Sequence, residues 1–313
     1  MQNSGDRVTG TARAGISEMR STTIRAMASD RELGAPTRWI DVNGLRVHCI
    51  TAGGGGSPVV LLHGGGIDSA SFTYGHIIGS LAQERHVLAP DWPGYGQSDK
   101  PDLGFAMGFY VDFLGRLMDA LGLKTASLIG ISMGGGAALG LALRSPERVE
   151  KLILVASYGL GSNVPWGRLG YLLVRAPLLH ELTYALLRRS PTMIRWSLYG
   201  LVYDRQKVTD EMIEETGRLL EDRQAGRAWS SFQKNEVGCG GLRTDFSDRL
   251  RGLVMPTLLV HGAQDRVVPV AWARRAQERI PDCELRVFSE CGHLPPREQP
   301  EEFARVVERF LAR

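Results

Sequence analysis

Residues 126–136 read Ala-Ser-Leu-Ile-Gly-Ile-Ser-Met-Gly-Gly-Gly. The short apolar run Ala126-Ser127-Leu128-Ile129 is of the kind expected in a strand buried on both faces. From Met133 to Leu143 every residue is small or apolar, which predicts a buried helix ending near Arg144-Ser145, before Pro146. Between strand and helix stand Gly130, Ser132 and Gly134, spaced as G-x-S-x-G. A serine here must sit on a sharp, strained turn if its hydroxyl is to project from the sheet. Residues two positions away on either side are pressed against it, and only glycine lacks the Cβ that would collide. Gly135 and Gly136 continue the run into the helix, where each glycine costs about 1 kcal/mol against alanine. Three in succession predict backbone packed too closely for side chains.

The same pattern recurs outward from this turn. Trp39–Val42 and Leu45–Ala52 flank Asn43-Gly44, a strong hairpin signal. Val59–Leu62, Val87–Ala89, Leu152–Val155, Thr257–Val260 and Leu285–Phe288 read as further buried strands. Helical stripes lie between them. Phe109, Phe113, Leu117 and Leu121 form one; Ala271–Ile280 and Glu301–Leu311, behind Pro300, form two more. Strands alternating with helices predict an α/β fold with a mostly parallel sheet. Residues 158–245 break the alternation. They read as helices over 169–175, 178–187, 193–203, 211–222 and 227–236, inserted between two strands, with arginines matched by acids on solvated faces.

A serine hydroxyl is a weak nucleophile and needs a base, itself oriented by a third group. Of seven histidines, His293 has the best setting, in Cys291-Gly292-His293-Leu294-Pro295 after the last strand. His261 and His63 also end strands and are read as structural. The acid should follow a strand end between serine and histidine. Asp265 does so, whereas Asp245 and Asp248 precede a strand and would lie at the wrong end of the sheet. Ser132, Asp265 and His293 thus all follow carboxyl ends of strands, where parallel α/β sheets carry their sites. Charge developing on a substrate carbonyl oxygen calls for two backbone N–H donors. Met133, after the nucleophile, is one; Gly65 in His63-Gly64-Gly65-Gly66 is the other, with Gly66 the alternative.

With these residues go His63-Gly64, Asp91-Trp92-Pro93-Gly94-Tyr95-Gly96-Gln97-Ser98-Asp99, Gly262-Ala263-Gln264-Asp265 and Gly292-His293. Over residues 37–313 the chain resembles the α/β-hydrolase superfamily. That resemblance implies a central sheet of about eight strands flanked by helices. It also implies a core of residues 37–157 and 246–313 and an inserted helical cap over 158–245. Cap side chains would line the pocket: Trp166, His180 and Trp196 foremost, with Tyr171, Tyr199 and Trp229 also available, and Gly66 beside them on the core.

Departures from neighbouring subfamilies narrow the activity. The nucleophile is serine, not the aspartate of epoxide hydrolases and haloalkane dehalogenases. Gly66-Ile67-Asp68 replaces the Pro-Gly of proline iminopeptidases. The triple glycine and the cap resemble hydrolases that cleave carbon–carbon bonds in ring-fission products. Those enzymes often carry Asn where this chain has Ile131, and they too carry the missing Pro-Gly. The expectation is therefore a carboxylesterase or lipase working through an acyl-enzyme. The alternative is a carbon–carbon hydrolase of meta-cleavage products, and a third reading is a non-catalytic ligand-binding member of the fold.

Composition sets the bounds. The chain has 313 residues, 43% hydrophobic and 23% charged, with 37 basic against 34 acidic side chains. Such a balance fits neither a disordered chain nor a nucleic-acid binder. No apolar stretch is long enough to span a membrane, and four cysteines without C-x-x-C spacing suit a reducing cytoplasm. Residues 1–36 lack an apolar core and read as a disordered leader, with Met19 or Met27 as alternative starts; an amphipathic targeting helix is the lesser alternative. The expected partner is a small-molecule ester or related carbonyl compound, with no cofactor or metal required. The 38 glycines exceed the usual ~7%, and several of them fall beside the proposed site.

Overall fold

The computed structural model describes residues 36–163 and 167–313. The leader read over residues 1–36, all but its last residue, and Trp166 lie outside the described residues.

The chain opens on the hairpin β1 (Thr37–Val42) and β2 (Leu45–Ala52), closed by Asn43 and Gly44, both at positive φ (54° and 84°). This is the left-handed pair that a tight hairpin turn requires. Then follow β3 (Pro58–Leu62), α1 (Ala70–Leu81), β4 (His86–Pro90), α2 (Met107–Ala120), β5 (Ala126–Ile131), α3 (Met133–Arg144) and β6 (Val149–Val155). Between β6 and the next sheet strand come α4 (Gly167–Arg175), α5 (Pro177–Arg189), α6 (Pro191–Leu198), α7 (Asp210–Glu221) and α8 (Arg227–Glu236). A two-rung hairpin, β7 (Val237–Gly238) and β8 (Gly241–Leu242), completes that insertion. The chain ends with β9 (Thr257–Gly262), α9 (Val270–Gln277), β10 (Cys283–Phe288), α10 (Pro295–Glu298) and α11 (Pro300–Leu311).

Eight strands form one sheet in the order β1-β2-β4-β3-β5-β6-β9-β10. Only β2 runs against the others, pairing antiparallel with β1 and β4. Side chains alternate across a strand, and the sheet uses both faces. Val60, Leu62, Leu128 and Leu154 pack with α2, α3 and α9, whereas Val59, Leu61, Ile129 and Val155 pack with α1 and α11. Burial on both faces explains why these strands read as continuous apolar runs.

The structure departs from the sequence reading in several places. β10, read as a buried strand, is the sheet edge with Arg286 and Val287 exposed, and the β7–β8 hairpin falls in a stretch read as helices alone. No helix is expected over 70–81, yet α1 forms there, capped by the Ser69 hydroxyl accepting from the Phe72 N–H at 3.1 Å. Gly75, Gly79 and the β-branched Thr73, Ile77 and Ile78 lower its propensity; burial of Phe72, Tyr74, Ile77 and Leu81 against the sheet outweighs that. The helix expected over 193–203 instead ends at Leu198, ahead of Gly200. Residues 199–204 continue as an irregular segment that reaches the His293 loop.

Candidate active site

Ser132 sits between β5 and α3 at φ 51° and ψ −118°, a strained conformation for a residue with a side chain. Its backbone is tied on both sides: the N–H donates to the Val155 carbonyl (2.9 Å), and the carbonyl accepts from Tyr158 and Gly136 (3.0 Å each). The flanking glycines are required by close approach. A Cβ on Gly130 would enter the Gly134 backbone, and one on Gly134 would enter the carbonyls of Leu62 and His63. The N-terminus of α3 is therefore pressed onto the loop that follows β3.

That loop is fixed by buried side chains. The Asp68 carboxylate accepts from the Gly64 N–H (2.8 Å), the Ser69 N–H (2.7 Å) and the Thr73 hydroxyl (2.7 Å). Burial raises the Asp68 pKa, against the pull of nearby His63. The His63 Nε2 accepts from the Trp92 N–H (3.0 Å), so Nδ1 is the donor to the Gly64 carbonyl (2.8 Å). His63 is thus a structural pin, as its sequence context implies. Met133 opens α3, where backbone N–H groups lack helical partners and the helix dipole favours negative charge. Gly65 lies on the facing loop, directly beneath the Trp229 ring of α8.

Asp265 and His293, expected as acid and base, meet. His293 Nδ1 lies 2.8 Å from Asp265 Oδ2, and both side chains are buried. Asp265 Oδ1 accepts from the N–H groups of Val267 (2.7 Å) and Val268 (3.0 Å). Burial works against the Asp265 charge, but His293 and His261, with their hydrogen bonds, outweigh it and hold the carboxyl well below the usual range. The rival acids are elsewhere: Asp245 accepts from the Ser247 N–H, and Asp248 pairs with Arg279 at the surface.

Sequence reasoning missed two supports of the base. The His293 N–H donates to the Leu201 carbonyl (2.7 Å), on the irregular segment after α6. Buried Glu298 accepts from Gly292 (2.9 Å) and Leu294 (3.3 Å) through Oε1 and from Tyr203 (2.8 Å) through Oε2. The nearness of Glu298 to His293, five residues on in Leu294-Pro295-Pro296-Arg297-Glu298, is the available signal. Of the insertion residues, Trp229 stacks on Phe232 (5.5 Å between ring centres) and covers Gly65. His180 packs on Tyr184 and bonds the Gly226 carbonyl at 3.0 Å; burial lowers its pKa. Trp196 is 60% exposed, touching Tyr199 and Arg205, and is not brought to the other candidates. Among the described residues no helix is long and apolar enough to cross a membrane.

The chain is similar to the 2-hydroxymuconate semialdehyde hydrolase of Pseudomonas putida, with 32% identity over 268 residues, 83% of this chain and 88% of the relative. It is similar to the 2-hydroxy-6-oxononadienedioate/2-hydroxy-6-oxononatrienedioate hydrolase of Burkholderia vietnamiensis, at 33% identity over 86% of this chain and 92% of the relative. The solved meta-cleavage product hydrolase of Pseudomonas fluorescens superposes with a TM-score of 0.73 at 28% identity, covering 88% of this chain and 97% of that one.

These relatives overturn the expectation of a carboxylesterase or lipase. In the sequence, Ile131 and the missing Pro-Gly after Gly65 point away from the carbon–carbon hydrolases. Ile131 is 1% exposed and packs with Ile129 and Val155 beneath the sheet, so its identity answers to the core and not to the bond cleaved. A backbone donor at Gly65 likewise needs no particular side chain at the following positions. A family model described as the alpha/beta hydrolase fold matches residues 57–300. With that match over most of its length, the Ser132 elbow and the paired Asp265 and His293, the chain belongs to the α/β-hydrolase fold family.

Proposed function

We propose that this hydrolase cleaves a carbon–carbon bond in a ring-fission product, a vinylogous 1,5-diketone of the meta-cleavage type. The observation that carries the reading is the similarity, over 83% and 86% of this chain, to hydrolases named for such substrates, at 32% and 33% identity. Ser132, His293 and Asp265 supply the chemistry. His293 takes the Ser132 proton, Ser132 adds to the ketone carbonyl, and the N–H groups of Met133 and Gly65 hold the oxyanion. The C–C bond breaks with its electron pair passing into the conjugated ketone of the vinylogous 1,5-diketone, which becomes a dienolate and takes up a proton. Water, activated by His293, then releases the acyl group as a carboxylic acid and frees Ser132. Asp265 keeps the imidazole in register.

Residues 158–245 serve as the cap in this reading, with Trp229 over Gly65 as its nearest contact to the oxyanion loop. Gly66, Trp166 and His180 are further pocket candidates, whereas Trp196, 60% exposed, is not one. The four cysteines are all unpaired, which supports a reducing cytoplasmic location.

The test is a comparison of purified protein on 2-hydroxymuconate semialdehyde, a 6-substituted ring-fission ketone and a p-nitrophenyl ester. Loss of the conjugated chromophore at a rate well above ester cleavage is expected. Ester turnover without ring-fission turnover would sink the proposal.

A further inference from the structure

We propose that His261 is a positioning residue for the acid: it gives Asp265 a second imidazole hydrogen bond and so tempers how strongly the carboxylate holds the His293 imidazolium. This rests on reading Ser132, His293 and Asp265 as a working triad. His261 lies near the end of β9 and is 1% exposed. Its Nε2 stands 2.9 Å from the Val268 carbonyl oxygen and 3.3 Å from Asp265 Oδ2. A carbonyl oxygen only accepts, so Nε2 carries the proton, and that proton is shared with the carboxylate.

Asp265 Oδ2 is therefore flanked by two imidazoles, His293 at 2.8 Å and His261 at 3.3 Å, while Oδ1 takes two backbone N–H groups. Four donors fill the carboxylate's accepting positions. Each one fixes its plane and draws charge from it.

The other ring nitrogen shows why an imidazole here is not simply filler. His261 Nδ1 is buried with no hydrogen-bond partner. A buried polar atom left unsatisfied is destabilising, and an apolar side chain of similar size would avoid that. The position keeps a histidine despite this, which places its use at Nε2.

The sign of the effect follows. Without the His261 donor, Asp265 has more charge to offer His293, the imidazolium is better stabilised, and His293 becomes a usable base only at higher pH. The groups bearing on Asp265 are His261 from β9, His293 from the loop after β10 and, beyond it, the Cys291 thiol, which burial keeps protonated.

The rate at which a fluorophosphonate labels Ser132, measured across pH, reads the base directly and needs no knowledge of the substrate. In His261→Leu the acid limb of that profile should move up by about half a pH unit, a roughly three-fold change in the protonation equilibrium. His261→Gln, which keeps a neutral donor, should bring it back toward wild type. A uniform loss of rate with an unmoved limb would overturn the proposal and leave His261 a packing residue. Should the leucine variant not fold, nitrogen NMR of histidine-labelled wild-type protein decides: Nε2 of His261 must be protonated and Nδ1 bare, and the opposite tautomer overturns the proposal. A wild-type protein that never labels would instead overturn the triad reading, and this proposal with it.

Discussion

Trp229 lies so close over Gly65 that a single methyl group on the glycine would enter the indole ring. Gly65 is not among the glycines at positive φ, so its backbone would accept a side chain. What forbids one is the ring above. Gly65→Ala should therefore displace either the loop or Trp229. Loss of a single oxyanion donor costs about 10²–10³ in turnover, and a fall near the lower end is expected. Trp229→Ala opens the space, so Gly65→Ala should cost at least several-fold less in that background. Steady-state rates of the four proteins give the coupling; simple additivity would mean that the ring is not the obstacle.

Ser132 should be a position where activity and stability oppose each other. At φ 51° a side chain is strained and a glycine is not. Ser132→Gly should gain about 1 kcal/mol in urea unfolding while losing all fluorophosphonate labelling. A glycine variant no more stable than wild type would show that its backbone ties absorb the strain.

Glu298→Ala removes the acceptor for the N–H groups of Gly292, Leu294 and Tyr203 at once. Leaving buried donors unpaired costs on the order of 1–3 kcal/mol each before water compensates. A net loss of about 3 kcal/mol is expected. Labelling of Ser132 should slow further than stability alone explains, since the loop carries His293. Chemical unfolding followed by labelling kinetics on the folded fraction separates the two.

Asp91 should govern part of the acid stability. Burial pushes its pKa up, but hydrogen bonding and charge from His48, together with the Gln97 N–H, bring it down to about 2. A carboxyl whose folded pKa is depressed contributes stability that is complete above its unfolded value. That contribution is lost as pH falls through the folded one. The shift corresponds to about 2 kcal/mol. Asp91→Asn should be less stable by that amount at neutral pH, with the gap closing between about pH 4 and pH 2. A gap constant across that window would assign the loss to packing.

Much of this was written in the sequence. Strands buried on both faces leave short apolar runs between turn signals, and the elbow's glycines mark where backbone meets backbone. α1 escaped because its outward stripe, Ser71, Gly75, His76, Gly79 and Ser80, carries no Asp, Glu, Lys or Arg, and its glycines and β-branched residues lower its propensity. Asp265 and His293 were legible from chain order and strand ends. The Leu201 carbonyl and the link from Tyr203 to Glu298 were not, because those contacts join residues far apart in the chain, although the bonds of Glu298 to Gly292 and Leu294 are local. Aromatic type alone could not separate Trp229, which covers Gly65, from Trp196, which faces solvent. The kinship with meta-cleavage product hydrolases was hidden for a different reason: Ile131, used to judge it, answers to the core.

The contacts that the segment after α6 makes with the His293 loop bear on how this protein could be re-engineered. The Leu201 carbonyl and the Tyr203 N–H belong to the insertion, yet they meet the His293 N–H and Glu298 of the core. The insertion is thus not an exchangeable module. A chimera that borrows another protein's helices across this stretch would have to rebuild the seat of its own base, and junctions that retain residues 201–203 should outperform those that replace them.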